Sequence, residues 1–284
     1  MRKRIQGADS DHKIPVSVIV VTKNEAPIIK RCLTALADFD DVWVVDSQSA
    51  DGTKVLAEAA GARVVDFLWN GRYPKKRQWC LETLDLKHDW VFFVDADEVM
   101  TAPLMAEIRE IFSARRVSLE GIVGYFVKGR YMLDGKPLRY GLQNNKLCLF
   151  DRRSVAFPVV DDLDIPGMGE IEGHYQPVLT IRDGQVGQLQ NVLIHKAFED
   201  QEGWRARHER YAAWERAMIA RNAYPRDPVP AREFLKRLFR RMPFRAVIAF
   251  LHCYVWKYGV LDGAAGWRFA KARWEYYRML RKAQ

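Results

Sequence analysis

The sequence has few cysteines and no pattern that would join them. The four present, Cys32, Cys80, Cys148 and Cys253, lie far apart without a Cys-x-x-Cys pair. This spacing argues against a disulfide framework or a structural zinc site and predicts reduced thiols in a cytosolic setting. A secretory signal is also missing, because the polar start MRKRIQGADSDHK is followed by no apolar core.

Several other common signals are absent. The sequence has no GxGxxG motif and no Walker lysine loop, which excludes a classical dinucleotide domain and a P-loop. It also lacks internal repeats and low-complexity runs. Its long apolar run Ala246–Leu261 has 16 residues and includes His252 and Lys257. A spanning helix needs about 20 apolar residues, so this segment is not expected to cross a membrane.

The charge is unevenly distributed. The chain of 284 residues carries a formal charge of +9, and residues 225–284 contain 14 Lys and Arg against 4 Asp and Glu. In this region the basic residues alternate with Trp, Phe and Tyr, which favours an interfacial membrane helix over a nucleic-acid arm. A helical appendage that packs on the core and has a basic outer face is the alternative. With 49% hydrophobic residues, the chain can bury a sizeable core.

The first hundred residues alternate between strand and helix patterns. Strands are predicted at Val16–Val21, Asp41–Val45, Arg63–Phe67 and Asp89–Val94, and helices at Ala26–Ala37 and Lys54–Ala60, the latter capped by Gly61. This alternation predicts a parallel α/β sheet with right-handed crossovers. Polar clusters follow the strands, and such sheets bind ligands at the carboxyl ends of their strands. A nucleotide-type site is therefore expected there.

The pattern changes after Gly121. Shorter strands are predicted at Gly124–Val127, Lys146–Phe150 and Val178–Ile181, in a mixed half of the same sheet. A helix is predicted over 200–222, where Trp204, Arg207, Tyr211 and Trp214 recur at helical spacing, which is more typical of core packing than of a site. The predicted organisation is a flexible N-terminus (1–14), an α/β domain (15–222) and a basic, aromatic-rich amphipathic helical region (223–284).

The run FFVDADE places three carboxylates directly after a buried strand. Two interpretations are compatible. In the first, the run is a turn and Thr101 or an Asp caps a helix that begins near Pro103. In the second, Asp95 and Asp97 hold a divalent cation that in turn binds a diphosphate. The repulsion among the carboxylates requires a positive partner, and the second interpretation supplies it from outside the chain.

The order of four motifs, SVIVVTKNE, VVDSQSADGT, WNGRYPKKRQW and FFVDADE, resembles the family 2 glycosyltransferases of the GT-A fold. The resemblance is close from Val16 to Met100 and looser toward the C-terminus. Within the family, the sequence is most similar to the bacterial β-1,4-glucosyltransferase-like branch of the lipopolysaccharide core. The resemblance implies a Rossmann-like, mixed but mainly parallel sheet flanked by helices, followed here by a C-terminal helical membrane-associating region.

The resemblance also implies roles for individual residues. Thr22, Asn24, Glu25 and Asp46 would line the nucleoside pocket, Lys76 or Arg77 would face the diphosphate, and Asp95 and Asp97 would hold Mg²⁺ or Mn²⁺, with Asp95 also touching the donor. His195 would complete the metal or phosphate site, although a hydrogen-bonded core histidine fits equally well, and His174 is open to the same two interpretations. The general base for an inverting reaction would be Glu172, with Glu170 second and Asp164 third. Arg207 and Arg210 could reach an anionic acceptor.

Together these features predict a metal-dependent, inverting glycosyltransferase. It would move a sugar from a nucleotide-diphosphate donor, a UDP-sugar being favoured, to a lipid-linked or lipopolysaccharide-core-type acceptor. It would lie in the cytoplasm, peripherally on the inner face of the cytoplasmic membrane and against its anionic surface. A polyprenyl-phosphate sugar synthase is the closest alternative. Outside enzymes the alternative is a basic nucleic-acid- or membrane-binding protein, but strand-end carboxylates would repel nucleic-acid phosphates, so no nucleic-acid partner is expected.

Overall fold

The computed structural model describes residues 13–113, 121–133, 135–172, 175–196, 201–227 and 229–281. The predicted flexible N-terminus lies outside these residues except for its last two, and so does His174. The strands are β1 (Ile14–Thr22), β2 (Phe39–Asp46), β3 (Arg63–Asp66), β4 (Trp90–Asp95), β5 (Glu98–Met100), β6 (Ile122–Leu133), β7 (Lys136–Pro137), β8 (Asn144–Asp151), β9 (Val155–Ala156), β10 (Val178–Leu179) and β11 (Gln185–His195). The helices are α1 (Ala26–Thr34), α2 (Thr53–Ala59), α3 (Lys76–Thr83), α4 (Ala102–Phe112), α5 (Gln201–Ala220), α6 (Pro230–Arg241), α7 (Arg245–Leu251) and α8 (Gly263–Met279).

One mixed sheet organises the chain. Its strand order is β3-β2-β1-β4-β8-β6-β11-β5, and β7 pairs with β6 outside this path. The pairs β1–β2, β1–β4, β2–β3 and β6–β11 are parallel, and they include the two longest ladders. Strand β8 joins the two parallel parts through antiparallel pairing with β4 and β6. The predicted mixed, mainly parallel α/β sheet flanked by helices is confirmed.

The central strands are covered on both faces. Val18, Ile19 and Val20 of β1 are buried in consecutive positions, as are Phe92, Phe93 and Val94 of β4. Burial on both faces explains the continuous apolar runs of these strands. Helix α1 packs on this core through its buried apolar face. The predicted cap is also present, because the Thr101 side chain accepts a hydrogen bond from the Leu104 N–H at the start of α4.

Two parts of the predicted arrangement are wrong. Strand β10 does not join the main sheet; it pairs with β9 in a separate two-stranded sheet, and the hydrogen bond from the Thr180 N–H to the Ser154 carbonyl extends this pairing. No helix is predicted in the basic run WNGRYPKKRQW, but helix α3 begins there at Lys76 and buries Cys80. The short apolar face of this helix is hard to recognise in the sequence because basic residues surround it.

The C-terminal region is helical but interrupted. The run predicted as one interfacial helix divides into α7, a π-helical turn (His252–Trp256) and a 3₁₀ turn (Gly259–Asp262). Cys253 and Phe269 form a small second core with Leu133 and Leu138 from the sheet domain. Within the described part of the chain, no helix combines the length and the apolar character needed to cross a membrane.

Candidate active site

A cleft of about 1240 Å³ opens at the carboxyl ends of β1 and β4. Nine of the predicted site residues line it, namely Thr22, Glu25, Lys76, Arg77, Asp95, Asp97, Glu170, Glu172 and His195. The structure therefore brings together side chains from positions 22 to 195, on both parallel parts of the sheet. Helices α5, α6, α7 and α8 contribute further basic and aromatic side chains to its wall. Two further predicted residues, Arg207 and Arg210, also line the cleft, whereas Asn24, Asp46 and Asp164 do not.

The carboxylates of the DADE turn receive positive partners from the chain itself. Asp95 Oδ1 lies 2.8 Å from Arg77 Nη2, and Asp95 Oδ2 lies 2.8 Å from Lys146 Nζ. Lys146 Nζ also lies 2.6 Å from Oε1 of the fully buried Glu98. Burial would raise the pKa of Asp95, but Lys146 and Arg77 together hold this pKa below its ordinary value. The expectation that the compensating charge comes from outside the chain is corrected for Asp95 and Glu98.

Lys146 is a residue of the candidate site that the sequence interpretation missed. It lies on β8, which runs antiparallel beside β4. Burial by itself lowers the pKa of Lys146, but the carboxylates of Asp95 and Glu98 outweigh this effect and raise it. A lysine that opens an otherwise apolar strand, KLCLF, is the signal that could have identified it. Arg77 bonds to Asp95 and lines the cleft, and the role of Lys76 or Arg77 toward a diphosphate stays a prediction.

Asp97 and His195 form a second pair. His195 Nε2 lies 3.1 Å from Asp97 Oδ2, and His195 Nδ1 is buried without a hydrogen-bond partner among the described residues. Burial by itself lowers the pKa of His195, but the Asp97 carboxylate outweighs this effect and raises it. Tyr131 stacks on the imidazole at 5.2 Å between ring centroids. Asp97 lines the cleft, and its one ion pair within the described ranges is the one to His195.

The charge of Asp97 acts on Glu25, a second carboxylate that lines the cleft. Burial, followed by the charge of Asp97, raises the pKa of Glu25 to about 7. No three His, Cys, Asp or Glu side chains in the described ranges converge closely enough to hold a metal ion by themselves. Asp97 and the electronegative surroundings therefore fit a divalent cation that takes most of its ligands from substrate phosphates and water, as Mg²⁺ commonly does.

The carboxyl end of β1 combines a tightly bonded loop with two unused hydroxyls. Asn24 Oδ1 accepts a hydrogen bond from the Ala50 N–H, and Asp46 accepts hydrogen bonds from the backbone and side chain of Ser49. These contacts fasten the DSQSADGT run to the start of α1. In contrast, Thr22 Oγ1 and Ser47 Oγ are buried without partners in the described structure. Such orphaned hydroxyls fit a polar ligand at these strand ends. The donor-binding roles of Asn24 and Asp46 stay predictions.

The three candidate bases have different environments. Glu172 is buried, accepts a hydrogen bond of 2.8 Å from the Arg77 N–H, and has a pKa raised by burial. Glu170 pairs with Lys76 at 2.8 Å. Asp164 pairs with Arg221 on the surface and does not line the cleft. Glu172 is therefore the carboxylate whose environment best suits a base.

Lys75 has a structural role in the same run. Its ammonium is buried 2.8 Å from Asp162, which also accepts hydrogen bonds from Tyr73 and Trp214. These contacts attach the loop before α3 to helix α5. Trp214 is fully buried in the core, whereas Trp204 and Tyr211 line the cleft, so the α5 aromatic residues contribute to both.

Residues 17–155 match the family model described as Glycosyl transferase family 2. This segment runs from within β1 to the first residue of β9 and includes the DADE turn. Its similarity to glycosyl transferase family 2 agrees with the prediction from the sequence motifs. An uncharacterized glycosyltransferase of Rickettsia bellii is 33% identical over 145 residues, covering 50% of this chain and 48% of that protein. The chain thus spans about half the length of the curated relatives it matches.

A relative with a more specific name is the lipopolysaccharide core biosynthesis glycosyltransferase LpsC of Rhizobium meliloti. It is 31% identical over 128 residues, which cover 43% of this chain and 45% of LpsC. Among solved structures, glucosyl-3-phosphoglycerate synthase from Mycobacterium tuberculosis with Mn²⁺ and UDP is 26% identical over 41% of this chain and 44% of that one, with a TM-score of 0.31. Its complex with phosphoglyceric acid aligns over 70% of this chain and 78% of that one at 19% identity and a TM-score of 0.41.

Proposed function

We propose that this protein is a metal-dependent, inverting glycosyltransferase that transfers a sugar from a nucleotide-diphosphate donor, with a UDP-sugar favoured. The observation that carries the proposal is the position of Asp97 in the cleft at the strand ends of a segment that matches the family 2 model. Asp97, with Asp95 and His195 beside it, would hold Mg²⁺ or Mn²⁺. When bound, the ion would neutralise the charge of the leaving diphosphate. Thr22 and Glu25 line the same end of the cleft, where a nucleoside would bind.

A donor screen tests the proposal. The melting temperature is measured with UDP, GDP, ADP and CDP, each with and without Mn²⁺, since a ligand that binds the folded state raises apparent stability. We expect a rise with one nucleotide, UDP first, that depends on the cation. Hydrolysis of the matching nucleotide sugar would then report turnover. The absence of both stabilisation and hydrolysis with every nucleotide would refute the proposal.

The proposed base is Glu172, with Glu170 as the second candidate. A base must be ionised, and burial raises the pKa of Glu172 above the ordinary value of 4.5. Transfer activity is therefore expected to rise with pH through a pKa higher than 4.5. Glu172→Gln is expected to lower kcat by about 10²-fold and to remove this dependence, while donor binding persists. Glu170→Gln is the matched control, and a larger loss from that variant would assign the base to Glu170.

The acceptor is proposed to be lipid-linked or of the lipopolysaccharide-core type, bound at the inner face of the cytoplasmic membrane. Helix α6 supports this because three of its basic residues line the cleft while three of its apolar residues are exposed. Arg232, Lys236 and Arg240 line the cleft, and the first two pair with the buried Asp227. The apolar residues Phe234 and Leu235 are 68% and 62% exposed on the other side of the helix.

The apolar exposure extends beyond α6. Nineteen large hydrophobic residues of the described chain are exposed, and twelve of them lie between 234 and 267, namely Phe234, Leu235, Leu238, Phe244, Val247, Leu251, Val255, Trp256, Tyr258, Val260, Leu261 and Trp267. Patches of this kind mark interaction sites. The basic residues Arg237 and Arg241 flank them on α6, and this combination is typical of anionic membrane surfaces.

Vesicle binding tests the membrane assignment. The triple change Phe234→Ser, Leu235→Ser, Leu238→Ser is expected to weaken binding to vesicles rich in phosphatidylglycerol by at least about tenfold, because each apolar side chain that enters the interface contributes roughly 1.5 kcal/mol or more. Val55→Ser with Leu56→Ser, two exposed residues on α2, is the matched control. Undiminished vesicle binding by the triple variant, or preferential retention on RNA at physiological salt, would contradict the assignment.

A further inference from the structure

The cations that line the cleft form two groups. The first group has carboxylate partners, as Lys76 has Glu170 and Arg77 has Asp95. The second group lines the cleft but forms no ion pair with a carboxylate in the described ranges. It consists of the exposed Lys23 and of three arginines, Arg207 and Arg210 on α5 and Arg273 on α8. Guanidinium groups that face a cleft without counterions indicate an anionic ligand.

Arg273 is the most confined of the three. Its guanidinium carbon lies 5.3 Å and 5.9 Å from the ring centroids of Tyr277 and Tyr276. Nη2 donates a long hydrogen bond of 3.3 Å to the Tyr277 hydroxyl. Nε is buried and has no acceptor in the described structure. The aromatic rings thus hold the charge in place but leave its hydrogen-bonding capacity incompletely used.

The position of Arg273 connects it to the candidate cation site. Its charge acts on Tyr131, whose ring stacks on His195, and His195 in turn bonds to Asp97. Arg207 approaches the same region from α5, since its charge acts on Glu25. Helices α5 and α8 pack together through His208 and Tyr276, with ring centroids 5.7 Å apart. The unpaired arginines therefore belong to the same cleft as Asp97.

The matched family domain distinguishes this set from the donor residues. Thr22, Glu25, Arg77 and Asp97 all lie within residues 17–155, whereas the three arginines lie outside that segment. We propose that Arg273, assisted by Arg207 and Arg210, binds an anionic group, a phosphate or a carboxylate, carried by the acceptor. This inference rests on the proposed glycosyl transfer. The proposed acceptor carries a negative charge close to its reacting hydroxyl. A guanidinium group can bind a phosphate or a carboxylate through two parallel hydrogen bonds.

Inorganic phosphate and the nucleotide diphosphate found in the donor screen serve as probes. Dissociation constants are measured by calorimetry for the wild type, Arg273→Gln, Arg273→Lys and Arg207→Gln. Lys271→Gln, an exposed change of the same charge on α8, is the matched control. Phosphate is expected to bind the nucleotide-saturated protein. Arg273→Gln should weaken phosphate binding about tenfold or more, because a charge-assisted hydrogen bond is lost, while nucleotide affinity stays unchanged. Arg273→Lys should restore part of the affinity.

Two results would overturn the inference. If Arg273→Gln weakens nucleotide binding and phosphate competes with the nucleotide, Arg273 belongs to the donor site. If phosphate does not bind, or binds equally to the wild type and Arg273→Gln, the subsite does not exist. Both results leave nucleotide binding and donor hydrolysis as separate evidence for glycosyl transfer. Melting curves of the unliganded variants show whether the changed protein is folded.

Discussion

Replacing Asp97 by asparagine is expected to lower sugar transfer by about 10³-fold, since a metal ion contributes several kcal/mol of charge stabilisation. The protein should remain folded, because Asp97 makes one side-chain contact within the described structure, to His195, and asparagine has the same shape. The change removes the anionic oxygen that the cation requires. The measurement is kcat/KM with the identified nucleotide sugar, together with the Mn²⁺ concentration that gives half-maximal activity.

Asp66→Asn is the matched control for this change. Asp66 ends β3 in the same sheet, but its carboxylate is 47% exposed and pairs with Lys54 outside the cleft. We expect activity to stay within about twofold of the wild type, because exposed ion pairs contribute little. Unchanged turnover in Asp97→Asn, combined with insensitivity to a chelator, would exclude the metal-dependent mechanism.

Replacing Lys146 by methionine is expected to lower the free energy of unfolding by about 3–5 kcal/mol. Glu98 has a fully buried side chain that would lose its cation, whereas Asp95 would keep Arg77. The loss is large because an unpaired carboxylate would remain in a region that excludes water. Urea unfolding of the wild type and the variant measures the difference, provided that both transitions are two-state.

A second replacement isolates the cause. Adding Glu98→Gln to Lys146→Met removes the unpaired charge and should recover a large part of the stability. Lys54→Met breaks an exposed pair with Asp66 and should cost at most about 1 kcal/mol. If Lys146→Met lowers the free energy of unfolding no more than Lys54→Met does, the buried ion pairs of Lys146 do not stabilise the protein.

The sequence predicts the first half of the fold well because local and tertiary signals agree there. The buried strands β1 and β4 are long apolar runs with polar turns behind them, and Gly61 has the positive φ of 85° that ends a helix such as α2. Strand β10 was assigned wrongly because a short Val-Leu segment has no local feature that chooses between two sheets. That choice depends on Ser154 and on the pairing with β9.

The candidate site shows the same limit. Asp95 and Asp97 could be identified because they follow a strand, and strand ends converge at one edge of a parallel sheet. Their partners could not be assigned, since Lys146 comes from an antiparallel strand and Arg273 from a helix distant in sequence. The order of the strands in the sheet determines which basic side chain lies next to which carboxylate. In this chain that order places β8 between β4 and β6.

The short strand β5 has a consequence for how the cleft can vary. Glu98 stands directly opposite His195 in the antiparallel ladder between β5 and β11, and Asp97 precedes it by one residue. The spacing of Asp97 and His195 is therefore set by main-chain register, which alternates side-chain direction at every step. A one-residue deletion inside β11 would therefore turn His195 to the other face of the sheet. The pairing of Asp97 with His195 thus depends on an unbroken register between β5 and β11.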